Sequence, residues 1–354
     1  MSFEHLCISP ETLLFDVLKI MDKEDVKLLM IREEKQFVSI VSIGDVQRAI
    51  LQNIDLQSQV KGILRTNITV AHVSDQIDSW KKIILEKRLE YLPFINDDRE
   101  IVDVVFWKDL TTEVREASNK LKDIPVVIMA GGQGSRLRPI TNIIPKALVP
   151  LGEKPIIQLI IERFISFGCR TFFISVNYKG EMIEDYLNKQ GLDCEFHFYS
   201  EDQPMGTSGS LSLIKDYIKG SFFVSNCDIL IDQDFAEVFD YHKQYNNTMT
   251  AIAAMKHFQI HYGIMEVKEN GHLSAIQEKP SYHFRVNAGV YVMEPEVFNF
   301  IPENEFHNIN VLMEDLMEKD KNIGVFPVTE GAWMDIGVWS EYQKTNEIFN
   351  RRKS

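Results

Sequence analysis

Residues 128–141 read Ile-Met-Ala-Gly-Gly-Gln-Gly-Ser-Arg-Leu-Arg-Pro-Ile-Thr. The apolar run that ends at Met129 is typical of a buried parallel strand, and the apolar pattern of residues 156–167 predicts a helix behind the stretch. Three glycines directly after a strand let backbone amides approach an anion, and Arg136 adds a positive charge. The stretch therefore predicts a strand–loop–helix unit whose loop binds phosphate.

The spacing of the glycines argues against two common phosphate-binding loops. Gly131, Gly132 and Gly134 do not form G-x-G-x-x-G, which disfavours a dinucleotide fold, and no Gly-Lys-Ser/Thr is present in the stretch. Lys146 follows a proline, and the extended backbone there can point the lysine back into a cleft. Arg136 and Lys146 together favour a ligand site over a bare turn, since strong cations serve no packing purpose beside glycines.

Strand and helix patterns alternate from residue 124 onward. This order predicts an α/β fold with a Rossmann-like mixed, mostly parallel sheet and helices on both faces. The predicted strands cover residues 171–176, 195–199, 221–225, 248–254, 263–267, 272–277 and 287–293. The predicted helices cover residues 181–187, 211–218 and 339–349.

Composition limits the possible functions. A chain of 354 residues predicts about two domains. The net charge of −14 argues against a nucleic-acid or anionic-membrane surface. The four scattered cysteines lack C-x-x-C spacing, and we expect reduced packing residues in a cytoplasmic protein. No signal peptide or membrane-spanning run is expected from the sequence.

The first ~120 residues contain a repeat of β-α-β-β-α pattern. Leu92 and Asp109 each lie 64 residues after their counterparts, Leu28 and Asp45. A polar, charged stretch at residues 111–123 marks the end of this region. We therefore expect a tandem domain at 1–118, a linker at 119–123 and a second domain at 124–354.

The repeat resembles the CBS domain pair, in which an apolar strand is followed by Ser/Thr-x-x-Asp. The resemblance implies a regulatory nucleotide site in which the Asp holds ribose and the hydroxyl holds phosphate. Its residues here would be Ser42 and Asp45 in the first copy and Asp109 in the second. The second copy departs from the pattern with Phe106 in place of the hydroxyl. The alternative is that both aspartates only cap the helices that follow them.

The glycine stretch, Pro145-Lys146 and Gly152-x-Lys154-Pro155 resemble the motifs of sugar-1-phosphate nucleotidylyltransferases over residues 124–350. The resemblance implies that Arg136 and Lys146 contact the triphosphate of an NTP. It also implies a nucleotide-binding loop formed by Ala130, Gly131, Gly132 and Gly134.

Two aspartates predict a metal site. Asp228 stands at the end of an apolar strand, where open α/β sheets bind ligands, and Asp335 lies in Trp-Met-Asp-Ile-Gly. One or two carboxylates plus substrate phosphates are what Mg²⁺ normally takes, so Mg²⁺ is the expected cofactor. Both positions match metal-binding aspartates of the family that the chain resembles, although a capping or turn role remains the alternative for either alone.

The same resemblance assigns sugar and base contacts. Glu278 and Lys279 stand in Gln-Glu-Lys-Pro and would bind sugar hydroxyls and sugar phosphate, with Asn287 as a further hydroxyl partner. The segment from Glu201 through Gly206 and Thr207 resembles the loop that contacts the base. Thymidylyl and uridylyl members have Gln at the position of Glu201. A carboxylate can accept from both donors on the guanine edge, so Glu201 favours GTP as a hypothesis.

The substrates remain open at this point. A CBS pair before such a domain resembles the guanylyltransferases of legionaminic acid routes, which act on glucosamine 1-phosphate. Mannose 1-phosphate with GTP, or glucose 1-phosphate with dTTP or UTP, are the alternatives. A different possibility is an inactive, nucleotide-sensing regulatory subunit, against which the presence of all five catalytic candidates argues: Arg136, Lys146, Asp228, Lys279 and Asp335. We also expect a homo-oligomer with no nucleic-acid or membrane partner.

Overall fold

The computed structural model describes residues 3–24, 26–65, 68–73, 75, 80, 91–106, 120–201 and 203–351. The chain divides into two compact units, Met1–Arg115 and Glu116–Ser354. The predicted linker overlaps the described residues only at 120–123, which form a turn. The predicted limits of 1–118 and 124–354 stay predictions.

Two three-stranded sheets and two described helices form the N-terminal unit. The helices are α1 (Leu14–Glu24) and α2 (Ile43–Leu51). The sheets are β1 (Cys7–Ile8), β2 (Leu28–Glu33) and β3 (Gln36–Ser42), then β4 (Ala71–His72), β5 (Tyr91–Ile95) and β6 (Ile101–Phe106). In each sheet the middle strand is parallel to the first strand and antiparallel to the third.

This shared topology agrees with the predicted repeat. The two copies also touch, because the Tyr91 hydroxyl donates to the Leu28 carbonyl across a distance of 2.6 Å. The second copy of the repeat is also predicted to have a helix at residues 77–85, of which only Trp80 is described, and the site residue Asp109 lies outside the described residues.

A seven-stranded sheet forms the centre of the C-terminal unit. Its strands are β7 (Val126–Met129), β10 (Thr171–Val176), β11 (Glu195–Ser200), β12 (Phe222–Asn226), β14 (Met249–Gln259), β17 (Ser281–Met293) and β18 (Ile323–Val328). Their order in the sheet is β11-β10-β7-β12-β17-β14-β18, with four parallel and two antiparallel pairings. The sheet is therefore mixed and mostly parallel, as predicted.

Three two-stranded sheets accompany it. They are β8 (Pro150–Leu151) with β9 (Lys154–Pro155), β13 (Ile229–Ile231) with β19 (Trp333–Asp335), and β15 (Ile264–Val267) with β16 (Leu273–Gln277). The helices are α3 (Ile156–Ile165), α4 (Gly180–Asn188), α5 (Gly206–Gly209), α6 (Phe235–Gln244), α7 (Ile309–Glu318) and α8 (Trp339–Arg351).

The sheet separates two apolar cores, as the alternation along β7 shows. Val126 and Ile128 point into the larger core, while Val127 points into the other. Helix α3 fills the larger core, where Phe164 stacks on Phe235 with 4.2 Å between ring centroids. Helix α7 contributes Leu312 to the opposite core. Helices therefore cover both faces, which places the ligand-binding loops at the strand ends.

The helix predicted at residues 211–218 is confirmed in part. The chain is helical from Gly206 to Ile214, as the short helix α5 followed by a 3-10 helix at Ser210–Ile214, and residues 215–217 form a turn. Helices α6 and α7 and strand β18 were not predicted at all. The apolar positions of these segments are ambiguous between strand and helix when taken alone.

All four cysteines lie within the described part of the chain and are free thiols. Burial raises the pKa of Cys169 and of Cys227 to about 12, so both thiols stay protonated and unreactive. This agrees with their predicted packing role. Within the ranges described above, no helix is long and apolar enough to span a bilayer.

Candidate functional site

The glycine loop lies at the carboxyl end of β7, between the ends of its two parallel neighbours. Met129 pairs with Ser175 on β10 and with Asn226 on β12, so the three strands end side by side. The Ala130 amide donates to the Ser175 carbonyl at 3.0 Å, which fixes where the loop leaves the sheet. The carboxyl edge of a parallel sheet is the usual ligand edge of such folds.

Gly134 is the tightest point of the loop. Its φ of +62° lies in the left-handed region, and a Cβ there would lie 2.9 Å from the Lys146 Cβ and 3.0 Å from the Thr141 Cγ2. The Thr141 hydroxyl donates to the Gly134 carbonyl at 2.9 Å. Only glycine fits without displacing the base of the lysine side chain, so Gly134 couples the loop to Lys146.

Lys146, Asp228 and Asp335 meet at one point. The Lys146 ammonium donates to the Asp228 carboxylate, and only 12% and 11% of the two side chains are exposed. A Cβ on Gly337 would lie 2.8 Å from Asp228 Oδ2, 2.9 Å from Asp335 Oδ1 and 3.5 Å from Lys146 Nζ. The missing side chain of Gly337 therefore lets the two carboxylates and the ammonium converge.

Backbone pairing holds the two aspartates in place. Asp335 is the last residue of β19 and pairs with Ile229 on β13, directly after Asp228. The Ile336 amide donates to the Asp228 carbonyl at 3.0 Å, and the Gly337 amide donates to Asp335 Oδ1 at 2.5 Å. Both carboxylates are thus positioned by the ladder of a small sheet rather than by loop residues alone.

The pKa of the Asp335 carboxyl reflects its burial and the charged groups around it. Burial raises the pKa of Asp335, and the Asp228 carboxylate raises it further. The Gly337 amide and the charges of Lys146 and Arg136 act in the opposite direction without cancelling the rise. The raised pKa of Asp335 beside a second carboxylate indicates a site that gains from an added cation.

These carboxylates suit Mg²⁺, which prefers hard oxygen donors. Among the residues that the structure describes, no group of three or more His, Cys, Asp or Glu side chains could hold a metal by itself. A metal between Asp228 and Asp335 would therefore need further ligands from a substrate, as Mg²⁺ does when it binds phosphates.

Glu201 lies beside the glycine loop, at the end of β11. Its Oε1 accepts from the Ser175 hydroxyl at 2.5 Å, and its Oε2 accepts from the Met205 amide at 3.1 Å. A Cβ on Gly131 would lie 3.0 Å from Glu201 Oε1. Each carboxylate oxygen has a second lone pair, so Glu201 can still accept two donors from a ligand.

Gly206 and Thr207 lie in the loop that follows Glu201, and both pack against the segment at the start of α7. Gly206 has φ +76°, and a Cβ there would lie 2.6 Å from the His307 carbonyl. The Thr207 hydroxyl accepts from the Ile309 amide at 2.9 Å, at the start of α7. The Thr207 side chain therefore fastens the loop to a helix, and its predicted nucleotide contact stays a prediction.

The predicted sugar residues stand apart from the carboxylates. The side chains of Glu278 and Lys279 are 71% and 61% exposed, and their charged ends lie 4.0 Å apart. Among the described residues, neither makes an ion pair or hydrogen bond with the Lys146 cluster. Asn287 donates to the Tyr291 hydroxyl at 2.8 Å and accepts from the Gly289 amide at 3.0 Å.

In the N-terminal unit, Asp45 does cap a helix. Ser42 and Asp45 form a capping box at the start of α2, and Arg65 donates to Asp45 Oδ1 at 2.7 Å. Arg48 pairs with the same oxygen. Burial alone would raise the pKa of Asp45, but the bonds from Arg65 and Ser42 lower it below its usual value. The nucleotide role of Ser42 and Asp45 stays a prediction.

Two site residues were missed in the sequence. Ser175 binds Glu201, and its position at the end of a predicted parallel strand beside the glycine loop was an available signal. Gly337 follows Asp335 by two residues, and a glycine so close to a carboxylate candidate indicates a crowded backbone.

Comparison with known proteins agrees with this arrangement. The model of the nucleotidyl transferase family matches residues 125–351, and the model of the CBS domain matches residues 1–52. The chain belongs to the nucleotidyl transferase family. Its CBS match covers the first copy of the repeat.

Several relatives of the nucleotidyl transferase domain are mannose-1-phosphate guanylyltransferases. The chain is 32% identical over 218 residues to the catalytic subunit beta from Drosophila pseudoobscura pseudoobscura, covering 60% of this chain and 58% of that protein. It is 32% identical over 220 residues to the Saccharomyces cerevisiae enzyme, covering 60% of each. The match thus spans about three fifths of these relatives.

A solved structure shows the same fold. The crystal structure of HddC from Yersinia pseudotuberculosis matches with a TM-score of 0.51 at 24% identity, covering 64% of this chain and 99% of that one. The match covers almost the whole of that fold but only about two thirds of this chain.

We predict that Gly134→Ala lowers the free energy of unfolding by about 1–3 kcal/mol, because alanine is strained at φ +62° and meets the Lys146 side chain. Chemical denaturation of the full chain measures the change. Gly220→Ala is the control, since nothing lies within 4 Å of its Cβ position. Equal effects of the two substitutions would contradict the strain at Gly134.

Proposed function

We propose that the protein is a sugar-1-phosphate guanylyltransferase. An oxygen of the sugar phosphate would attack the α-phosphorus of GTP, one P–O bond forming as the P–O bond to pyrophosphate breaks. The convergence of Lys146, Asp228 and Asp335 beside the glycine loop carries the proposal. Such a reaction needs positioning and charge neutralisation rather than a covalent nucleophile.

Each residue of the cluster has a role that follows from its chemistry. The amides of the glycine loop would hold the triphosphate, and Lys146 and Arg136 would neutralise charge on the reacting phosphates. Asp228 and Asp335 would hold Mg²⁺. Bound there, Mg²⁺ would neutralise phosphate charge and orient the phosphates for in-line attack.

Guanine is supported by Glu201. The residue lies beside Gly131, with its carboxylate oriented by Ser175 and Met205, and it keeps acceptor capacity for two donors. The guanine edge offers N1–H and an amino group, whereas a pyrimidine offers one N–H between carbonyls. The guanylyltransferase relatives agree with this preference.

Two hexose 1-phosphates are the leading sugar substrates. The N-terminal CBS match supports glucosamine 1-phosphate, through the resemblance to enzymes of legionaminic acid synthesis. The named relatives support mannose 1-phosphate. Glu278, Lys279 and Asn287 would contact the sugar. Pyrophosphate release measured with GTP, UTP, dTTP and CTP against both hexose phosphates and glucose 1-phosphate would decide among them.

A homo-oligomer and a cytoplasmic location also stay predictions. One face of the β15–β16 hairpin supports the oligomer, because its four apolar side chains are exposed. Contiguous exposed apolar surface often marks an interface. The four residues are Met265, Val267, Leu273 and Ile276.

We predict that Asp228→Asn lowers kcat at least about 100-fold, because the amide loses the charge that would hold the metal and Lys146. Coupled pyrophosphate assays measure the loss, and circular dichroism checks the fold. Asp193→Asn is the control, since its side chain is 89% exposed and pairs only with Arg170 among the described residues. Near-normal turnover in Asp228→Asn would refute the metal role. A wild-type protein without turnover would instead support the nucleotide-sensing alternative.

We predict that Glu201→Gln lowers kcat/KM for GTP about tenfold or more and raises the relative use of UTP and dTTP. The amide oxygen must face the Met205 amide, so its nitrogen replaces an acceptor that guanine would need. Glu195→Gln, on the same strand and 70% exposed, is the control. Unchanged selectivity in Glu201→Gln would contradict base recognition by this residue.

We predict that the N-terminal unit binds a nucleotide at Ser42 and Asp45. Calorimetry of the full chain with AMP, ATP and GDP should show binding of at least one of them that Asp45→Asn weakens, since the substitution removes the charge that holds Arg65. Loss of the capping interaction should cost about 1 kcal/mol as well, so the fold is checked by thermal denaturation. Equal binding heats in both proteins would rule out this site.

A further inference from the structure

The backbone of His307 clasps the loop that follows Glu201. The His307 carbonyl accepts from the Ser208 amide at 3.0 Å, the Gly209 amide at 2.9 Å and the Ser208 hydroxyl at 2.9 Å. The His307 amide donates to the Met205 carbonyl at 2.8 Å. One residue about 100 positions along the chain thus makes four hydrogen bonds to Met205–Gly209, which we call the base loop.

The His307 ring extends this clasp to a helix. Its Nδ1 lies 2.9 Å from the Ser208 hydroxyl, and its Nε2 lies 3.2 Å from Asp315 Oδ2 on α7. A carboxylate only accepts, so the Nε2–H donates to Asp315, while the single hydroxyl proton of Ser208 is shared between the His307 carbonyl and Nδ1, which both lie 2.9 Å from the hydroxyl oxygen. Ser208 is fully buried, which excludes it as a nucleophile. The ring is therefore a spacer between helix and loop.

The base loop needs such a support because of its own sequence. Gly206 and Gly209 are required where the loop meets the segment before α7, since their Cβ positions would lie 2.6 Å from the carbonyls of His307 and Glu305. Glycine loses more conformational freedom on ordering than any other residue. The close approach that excludes side chains from the loop also makes the loop depend on hydrogen bonds for its shape.

The clasp continues to Glu201 through one residue, Met205. His307 binds the carbonyl of Met205, and the amide of Met205 donates to Glu201 Oε2 at 3.1 Å. Asp315, His307, Met205 and Glu201 thus form an unbroken series of contacts. The far end of the series, Asp315, has a side chain that is 41% exposed.

We propose that His307 and Asp315 are positioning residues for base recognition, which hold the base loop and thereby the Glu201 carboxylate in the geometry that guanine requires. Neither residue touches substrate. The inference rests on the proposed function, in which Glu201 contacts the base. It assigns nucleotide affinity and base selectivity to a pair of residues on the segment that enters α7 and on that helix.

The test compares His307→Leu, His307→Asn and Asp315→Ala in the full chain. His307→Leu keeps volume but loses both ring contacts, so KM for GTP should rise about five- to tenfold. The kcat and the KM for the sugar phosphate should change less than about threefold, because the Lys146 cluster is untouched. His307→Asn can still reach Ser208 and should restore part of the affinity. Asp315→Ala should give a smaller rise than His307→Leu.

A second histidine provides the matched control. His242 is fully buried, with Nδ1 2.8 Å from the Thr250 hydroxyl and Nε2 3.1 Å from Glu294 Oε1. His242 thus has the same hydroxyl–imidazole–carboxylate arrangement, but among the described residues it makes no hydrogen bond to the base loop. His242→Leu should lower stability while leaving KM for GTP and the ratio of GTP to UTP use unchanged.

The outcomes separate this inference from the proposed function. Calorimetric Kd values for GTP, measured without sugar phosphate, do not depend on turnover. If the wild-type protein binds GTP without releasing pyrophosphate, the proposed function is wrong. The Kd values of the wild type and its variants then still test whether His307 and Asp315 position the base loop. Equal Kd values for wild type and His307→Leu, equal losses in His307→Leu and His242→Leu, or no GTP binding by the wild type would each overturn the inference.

Discussion

The parallel pairing of β7 with β10 and β12 is the constraint on which the site depends. Because Met129, Ser175 and Asn226 lie in register, the three strands end side by side, and whatever follows each strand is forced to the same edge. The glycine loop follows β7 and Asp228 follows β12, while Ser175 itself reaches Glu201 at the end of β11. A one-residue slip would move every side chain to the opposite face and separate these groups.

Charge at this edge runs against the charge of the whole molecule. The chain carries a net charge of −14, yet this edge places Lys146 and Arg136 near the buried Asp228 and the partly buried Asp335. Because these charged groups are at least partly buried, the interactions between them are stronger than they would be in water. This would strengthen the binding of a triphosphate, but it makes any charge without a counterion costly. The ion pair of Lys146 with Asp228 satisfies both groups in the absence of substrate. Phosphates and a metal would exchange partners within the same cluster rather than create a new one.

Under the proposed function, phosphate chemistry and recognition of the base fall to separate groups of residues. Gly134 and Gly337 give the cluster room by omitting side chains, and their neighbours are fixed by short-range backbone pairing. Glu201 instead depends on Ser175, Met205 and, through Met205, on the clasp at His307. Such a division would let the sequence of the base loop change to suit a different base, while the residues that hold the phosphates stay the same.

The sequence by itself determined the tandem repeat, the order of most strands, and the positions of Arg136, Lys146, Asp228 and Asp335, because each has a local signal: glycines after an apolar run, a carboxylate at a strand end, or a fixed spacing. It did not determine that Lys146 and Asp228, 82 residues apart, form an ion pair, or that His307 clasps a loop about 100 residues earlier. It also missed α7, the helix that carries Asp315. Only the tertiary structure decided these features, since they arise from contacts between segments whose local patterns carry no information about their partners.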